Sequence, residues 1–191
     1  AGTPEEPLSE TMSRIVGALG ILLPAALDDA AWADKTEDED RRRAVADLAS
    51  AALALRDHAR GEEGTLDFLA TSLAADAAMI QTAYVLGDSR AARYRIQSLT
   101  ETCVACHSRL PDLSDSILGR RITKSVEVQT LPPAHRASLL AATRQWEEAL
   151  TVYETMLASD GHAQEQFWSI PEYIELCARV RGDLQRPVPV L

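Results

Sequence analysis

The sequence predicts an all-α protein. Ala and Leu dominate the chain, and Gly and Pro are sparse between about residues 8 and 110. Apolar residues recur there at helical spacing, and the patterns stop at Gly or Pro. These observations predict an up-and-down four-helix bundle over 1–112, an irregular connection over 113–130 and a smaller helical unit over 131–191.

Four long helices are predicted in the first segment, each with its own start and stop signals. Ser9 and Ser89 are candidate N-caps, and Gly61 and Gly87 follow two of the predicted ends. The second helix begins with a run of acidic residues, which favours a positive helix end. The predicted helices are 9–27, 36–58, 66–86 and 89–110.

Three shorter helices are predicted in the last segment, at 137–143, 145–159 and 171–181. Pro171 suits a first helical position, and Gly182 suits a stop. The tail beyond them is predicted to be extended.

The charge and hydropathy of the chain limit its partners. The net charge is −10, from 29 acidic and 19 basic residues. An acidic surface argues against nucleic acid and favours a basic protein partner, although solubility alone would also explain it. The longest apolar run, 15–27, is interrupted by Gly and Pro, so we expect no membrane span, which needs about 20 residues. The start Ala1-Gly2-Thr3-Pro4 leads us to expect an exported protein whose signal peptide has been removed.

The chemistry of the chain is concentrated at Cys103-Val104-Ala105-Cys106-His107, near the end of the fourth predicted helix. This C-x-x-C-H pattern is typical of haem attachment. Residues three and four apart share a helix face, so Cys103 lies beside Cys106 and His107. Two thioethers would hold the haem, and the imidazole would bind the iron. The sequence therefore predicts one covalent haem c, with His107 as the proximal iron ligand.

Other readings of this motif fit the sequence less well. A zinc site usually has four ligands, and the remaining candidates, His58, His135, His162 and Cys177, are scattered singly. A thioredoxin-like redox pair would follow a strand, and none is predicted. A disulfide between Cys103 and Cys106 would be strained on a helix. Cys177 is then the odd thiol, either a buried residue or half of an intermolecular disulfide.

The position of this motif at the end of a fourth bundle helix resembles the class II cytochromes c, the family of cytochrome c′ and its low-spin relatives of the cytochrome c556 type. The resemblance covers about residues 5–112. It implies that the sixth iron position lies near the start of the first helix, at Met12. Departures are Leu8, where the family often has an Arg that reaches a haem propionate, and the Ser108-Arg109-Leu110 run after the haem His. The propionate contacts therefore cannot be carried over, although Arg14 is a candidate substitute.

The role of Met12 separates two function classes. A Met on an apolar helix face is often only core filling. A His–Met pair would give a low-spin haem with a raised potential, which suits electron transfer. A five-coordinate iron would instead bind nitric oxide or carbon monoxide, as cytochrome c′ does. His58 and His135 are less favoured alternatives to Met12 as the sixth ligand. We expect no enzymatic turnover, because no acid–base constellation stands near the motif.

The last segment carries a second resemblance. Residues 141–157, around Trp146, Ala149, Tyr153 and Leu157, resemble the core of a tetratricopeptide repeat. A generic helical hairpin is the alternative. A lone repeat cannot bury its apolar face, so we expect this region to pack on the bundle, on a partner protein or on a second copy of the chain. A variant of the electron carrier is a cytochrome subunit that these helices anchor in a larger complex.

Overall fold

A computed structural model describes residues 7–61, 64–110, 114–124, 126–159 and 163–190. Within these ranges every regular element is a helix, which confirms the predicted all-α class. The internal contacts divide the chain into two compact units, 1–102 and 103–191. The first four residues and Pro111, on which parts of the sequence analysis rest, lie outside the described ranges.

The first unit is built from four long helices and a short one. The chain forms α1 (Leu8–Leu27), α2 (Asp29–Ala33), a 3₁₀ turn (Lys35–Glu37), α3 (Asp38–Ala59), α4 (Gly64–Val85) and α5 (Ser89–His107). Helix α3 packs against both α1 and α4. Their buried faces are aliphatic and are formed by residues such as Leu19, Leu22, Leu48, Ala77 and Ile80.

The helix ends differ from the predicted ones in detail. Pro7, not Ser9, precedes α1, and the side chain of Asp88, not Ser89, caps α5 by accepting a 3.0 Å hydrogen bond from the Ala91 amide. The predicted stop at Gly87 is correct. This residue has φ +75°, a conformation that costs glycine little.

Helix α1 runs through Gly17, Gly20 and Pro24, in agreement with the predicted helix over 9–27, although these residues interrupt its apolar run. It is the one described helix with the length and composition of a membrane span, and half of its most apolar window is buried within the protein. A buried core helix and an N-terminal signal sequence have the same composition. The absence of a membrane span therefore stays a prediction.

The second unit contains the end of α5 and five further helices. These are α6 (Ile117–Thr123), α7 (Val126–Gln129), α8 (Pro133–Ala142), α9 (Trp146–Leu157) and α10 (Ala163–Glu175), which continues into a π-helical turn (Leu176–Arg181). The irregular connection predicted over 113–130 is wrong in part, because α6 and α7 lie there. Pro171 lies inside α10 and does not open a helix, because that helix begins eight residues earlier. Gly182, with φ +64°, ends the π-helical turn as predicted.

Helices α8 and α9 form a hairpin, and α10 contacts both of them. Of the four residues of the tetratricopeptide-like pattern, Trp146, Ala149 and Tyr153 are buried and Leu157 is partly exposed. The resemblance to that repeat stays a prediction. Glu172 of α10 joins the three helices: it accepts hydrogen bonds from Tyr153 Oη at 2.5 Å and from Ser138 Oγ at 3.2 Å. Part of the hairpin's apolar face is therefore covered within the unit itself.

Candidate functional site

Cys103, Cys106 and His107 lie on the last two turns of α5. Cys103 is buried, whereas Cys106 and His107 are partly exposed. Because the helix is regular through this segment, the first Cys lies one turn before the second Cys and the His. Helical geometry thus brings the three predicted haem-binding residues to one side of one helix end.

The two thiols of this motif are free. Burial raises the pKa of Cys103 to about 12, with a smaller contribution from the negative charges that Cys106 and Glu172 can carry. Burial also raises the pKa of Cys106, and the positive charge of Arg109 opposes that rise. Both sulfurs are therefore protonated at neutral pH in this state of the chain, and neither has the low pKa of a reactive redox cysteine.

The imidazole of His107 forms one hydrogen bond within the described part of the chain. Its Nδ1 lies 2.7 Å from the carbonyl oxygen of Ala142, the last residue of α8. A carbonyl oxygen can only accept, so Nδ1 donates and carries the proton. Burial lowers the pKa of His107; the Ala142 carbonyl opposes this, and the charge of Arg144 adds to it. The neutral ring therefore has its lone pair on Nε2, the state in which imidazole binds a metal.

These three residues fit the demands of a covalent haem. The porphyrin supplies four nitrogens, so the chain has to supply only axial ligands and the two thioether sulfurs. No cluster of three or more His, Cys, Asp or Glu side chains suited to a metal ion occurs in the described part of the chain. The donor set at the end of α5, two unpaired thiols and one oriented imidazole, is smaller than a structural zinc site and sufficient for a haem.

Met12, the predicted distal ligand, lies in the second turn of α1 and is partly exposed. It belongs to the first unit, whereas Cys103 and the residues after it belong to the second. Its role as an iron ligand stays a prediction. The alternative ligands are similarly divided, with His58 on α3 and His135 on α8. Burial lowers the pKa of His135, and the charge of Glu165 opposes this shift.

Arg14, the candidate propionate partner, forms contacts within the first unit. Arg14 pairs with Asp47 at 3.5 Å and donates to Ser50 Oγ at 3.2 Å, on α3. Arg109 pairs with Glu175 at 3.3 Å. Cys177 is fully buried in the second unit, which favours its interpretation as a core residue over an intermolecular disulfide.

Sequence reasoning missed the residues that hold the motif in place. They are Ala142, which acts through its backbone carbonyl, and Glu175, which accepts hydrogen bonds from Ser108 and Arg109. A backbone acceptor has no residue-type pattern that could reveal it. Glu175 lies 67 positions after Ser108, and only the folded chain brings the two together.

Comparison of the chain with protein-family models, with curated proteins and with solved structures gave no match.

Proposed function

We propose that this protein is a monohaem c-type cytochrome, with one haem bound through Cys103 and Cys106 and with His107 as its proximal iron ligand. The observation that carries the proposal is the state of His107. Its Nδ1 is engaged by the Ala142 carbonyl at 2.7 Å, and its Nε2 has no hydrogen-bond partner among the described residues, immediately after a C-x-x-C pair of free thiols. In metal-binding His residues the second ring nitrogen commonly donates to such an acceptor.

The proposal includes an up-and-down bundle of the class II cytochrome c type, made of α1, α3, α4 and α5. Packing of α3 against both α1 and α4 supports it. Helix α5 is joined to α4 by the pair Arg95–Asp76 at 3.7 Å. It is also joined to the end of α1, because Arg93 Nε and Gln97 Nε2 donate to the Ala26 carbonyl at 2.8 and 2.7 Å. In such a bundle the start of the first helix and the end of the fourth lie at the same end.

Electron transfer is the function that we assign to this cytochrome, with Met12 as the sixth ligand. A bound haem supplies one-electron chemistry. The soft thioether sulfur of Met12 would favour ferrous iron and a raised potential, and His107 would supply a nitrogen ligand. Both side chains would keep their positions as the electron arrives and leaves, which is the requirement for a carrier. A five-coordinate, gas-binding iron is the outcome if Met12 does not ligate.

The proposal also covers the surroundings of the cytochrome. Haem is attached in this way outside the cytoplasm, so we assign the protein to the periplasm or another exported location. Its redox partner would be a protein with a basic docking surface, because the chain has a net charge of −10. The tetratricopeptide-like region over 131–191 would supply protein contacts or self-association.

Optical spectra of the ferric and ferrous protein, recorded for the wild type and for Met12→Ala, test the function directly. We expect low-spin bands and a weak far-red sulfur-to-iron band in the ferric wild type. The Met12→Ala variant should lose that band, have a lower potential and bind carbon monoxide. Met79→Ala, which removes a Met from an exposed position of α4, is the control and should leave the spectrum unchanged.

A high-spin spectrum of the wild type, or a Met12→Ala spectrum identical to it, would contradict ligation by Met12. A high-spin wild type would move the assignment from electron transfer to gas binding. A low-spin spectrum that Met12→Ala leaves unchanged would move the sixth ligand to another residue, such as His58 or His135. Both results would leave the haem attachment intact.

A further inference from the structure

The end of α5 is fixed by contacts with the C-terminal helices. Just beyond His107, Ser108 Oγ donates to Glu175 Oε1 at 3.1 Å, and Arg109 Nη1 reaches the same oxygen at 3.3 Å. Glu175 is the last residue of α10. By its internal contacts, the segment from Cys103 onwards belongs to the compact unit that contains α6 to α10. The haem-binding motif is therefore part of the C-terminal fold.

The turn between α8 and α9, residues 142–145, carries the acceptor for His107. Two hydrogen bonds constrain this turn. The Thr143 hydroxyl donates to the Leu139 carbonyl at 2.8 Å, and the backbone N–H of Gln145 donates to the Leu140 carbonyl at 2.8 Å. Ala142, Thr143 and Gln145 are each at most 3 % exposed. Arg144 has φ +62°, the single positive φ of a non-glycine residue in the described chain. Because these hydrogen bonds and the burial hold the turn rigid, the Ala142 carbonyl keeps a fixed position.

Helix α6 supports this turn from another direction. Gln145 Nε2 donates to the Ser116 carbonyl at 2.8 Å, at the start of α6. Gly119 packs directly on the turn, since a Cβ atom added there would lie 2.1 Å from the Thr143 carbonyl oxygen. No side chain fits at position 119 unless the turn moves. Part of the connection predicted to be irregular therefore serves as a rigid support.

We propose that the 142–145 turn is the positioning element for the proximal ligand, which sets the orientation and the basicity of the His107 imidazole. This inference rests on the proposed haem ligation. A hydrogen bond from Nδ1 to a fixed carbonyl holds the ring in one orientation and makes Nε2 a stronger donor to iron. The stronger donor stabilises ferric over ferrous iron and lowers the potential. The C-terminal helical unit thereby controls the electron affinity of the iron, and a partner that docks on this unit and shifts the turn would change it.

Two substitutions in the support of the turn test this coupling. Gly119→Ala adds a methyl group that collides with the Thr143 carbonyl, so the turn has to shift. Gln145→Leu removes the side-chain amide that donates to the Ser116 carbonyl at the start of α6. Gly64→Ala is the matched control, because a Cβ atom at that position meets nothing within 4 Å. The midpoint potential is measured by redox titration of the holoprotein. Hydrogen exchange of the His107 Nδ1–H is followed by NMR in the ferrous state.

We expect both variants to keep the covalent haem, to exchange the Nδ1–H faster and to have a higher potential. A tenfold shift of the ferric–ferrous equilibrium corresponds to about 59 mV. The control should match the wild type in both measurements. If Gly119 and Gln145 contributed to folding alone, the two variants would have a lower melting temperature and the midpoint potential of the wild type.

The two levels of the proposal fail in different ways. A wild-type protein that carries no covalent haem would overturn the proposed function itself. A haem-loaded variant with the wild-type potential would overturn only the role of the turn. If Gly119→Ala does not fold, Gln145→Leu decides, since it adds no atom that collides with the turn.

Discussion

Cys103 and Cys106 lie one helical turn apart at the end of α5 as two free thiols, and the pKa of each is raised by burial. This relationship has a consequence for the number of thiols in the holoprotein. Thioether formation would consume both, and Cys177 would remain as the single thiol of the chain.

Thiol titration tests that number. In the native holoprotein we expect no rapid reaction with an alkylating reagent, because Cys177 is fully buried. In denaturant we expect one reactive thiol per chain. Three reactive thiols in the denatured protein would mean that no haem is attached, and Cys177→Ser, which should lower the expected number to zero, is the control.

Arg186 is expected to be a main electrostatic support of the second unit. Its guanidinium binds Glu154 at 2.5 and 3.3 Å and Glu147 at 3.0 Å, and these carboxylates raise its pKa. Glu154 also accepts a hydrogen bond from the buried Tyr173, at 3.2 Å. Arg186→Ala leaves a partly buried carboxylate without its main partner, so it should lower the free energy of unfolding by about 1–3 kcal/mol.

Arg43→Ala is the matched control for thermal or urea unfolding. Arg43 pairs with Glu39 on the exposed face of α3, where an ion pair contributes between about 0 and 1 kcal/mol. Equal effects of the two substitutions would contradict the importance given to the Arg186 contacts.

The N-terminal end of α3 should show a pH dependence that Tyr84 controls. Tyr84 Oη donates to Asp38 Oδ1 at 2.6 Å, and this bond is the main cause that holds the pKa of Asp38 below its ordinary value of 3.8. A lowered folded-state pKa stabilises the fold above the unfolded pKa. That contribution is lost as the pH falls through the folded value. Tyr84→Phe should raise the Asp38 pKa, as measured by carboxyl NMR, and Tyr94→Phe, at an exposed position, should leave it unchanged.

The acidic charge of the protein predicts salt-sensitive electron transfer. Reaction with a basic redox partner should slow as salt rises, because screening limits exposed charges to a reach of about 8 Å at physiological ionic strength. Stopped-flow rates over a range of salt concentrations measure this. An electron-transfer rate that does not change with salt concentration would indicate docking through apolar contacts of the C-terminal helices.

Local signals predicted the long helices well, because each rests on periodicity and on a breaker at its end. Gly87 and Gly182 end their helices with the positive φ that glycine allows. Pro171 misled the analysis, because a proline that suits a helix start can also be carried inside one when the preceding turns are stabilised by packing. Asp88 and Ser89 are both good capping residues, and only the structure shows which of the two caps α5.

The grouping of the candidate site residues could be predicted from the sequence, whereas the residues that support them could not, and the haem chemistry stays a prediction. Cys103, Cys106 and His107 carry a spacing that can be read from the sequence. The Ala142 carbonyl and the close approach of Gly119 to the turn depend on tertiary packing, which leaves no local pattern. The same distinction applies to α6 and α7, because helices of seven and four residues are too short for a periodic pattern to reveal them.

Covalent attachment of haem is the central claim, and the mass of the intact protein after extraction with acidified organic solvent tests it most directly. A haem held by two thioethers resists this treatment. The account predicts the chain mass plus one haem for the wild type and the chain mass alone when both Cys103 and Cys106 are replaced by Ala. A wild-type protein with the mass of the bare chain would contradict it.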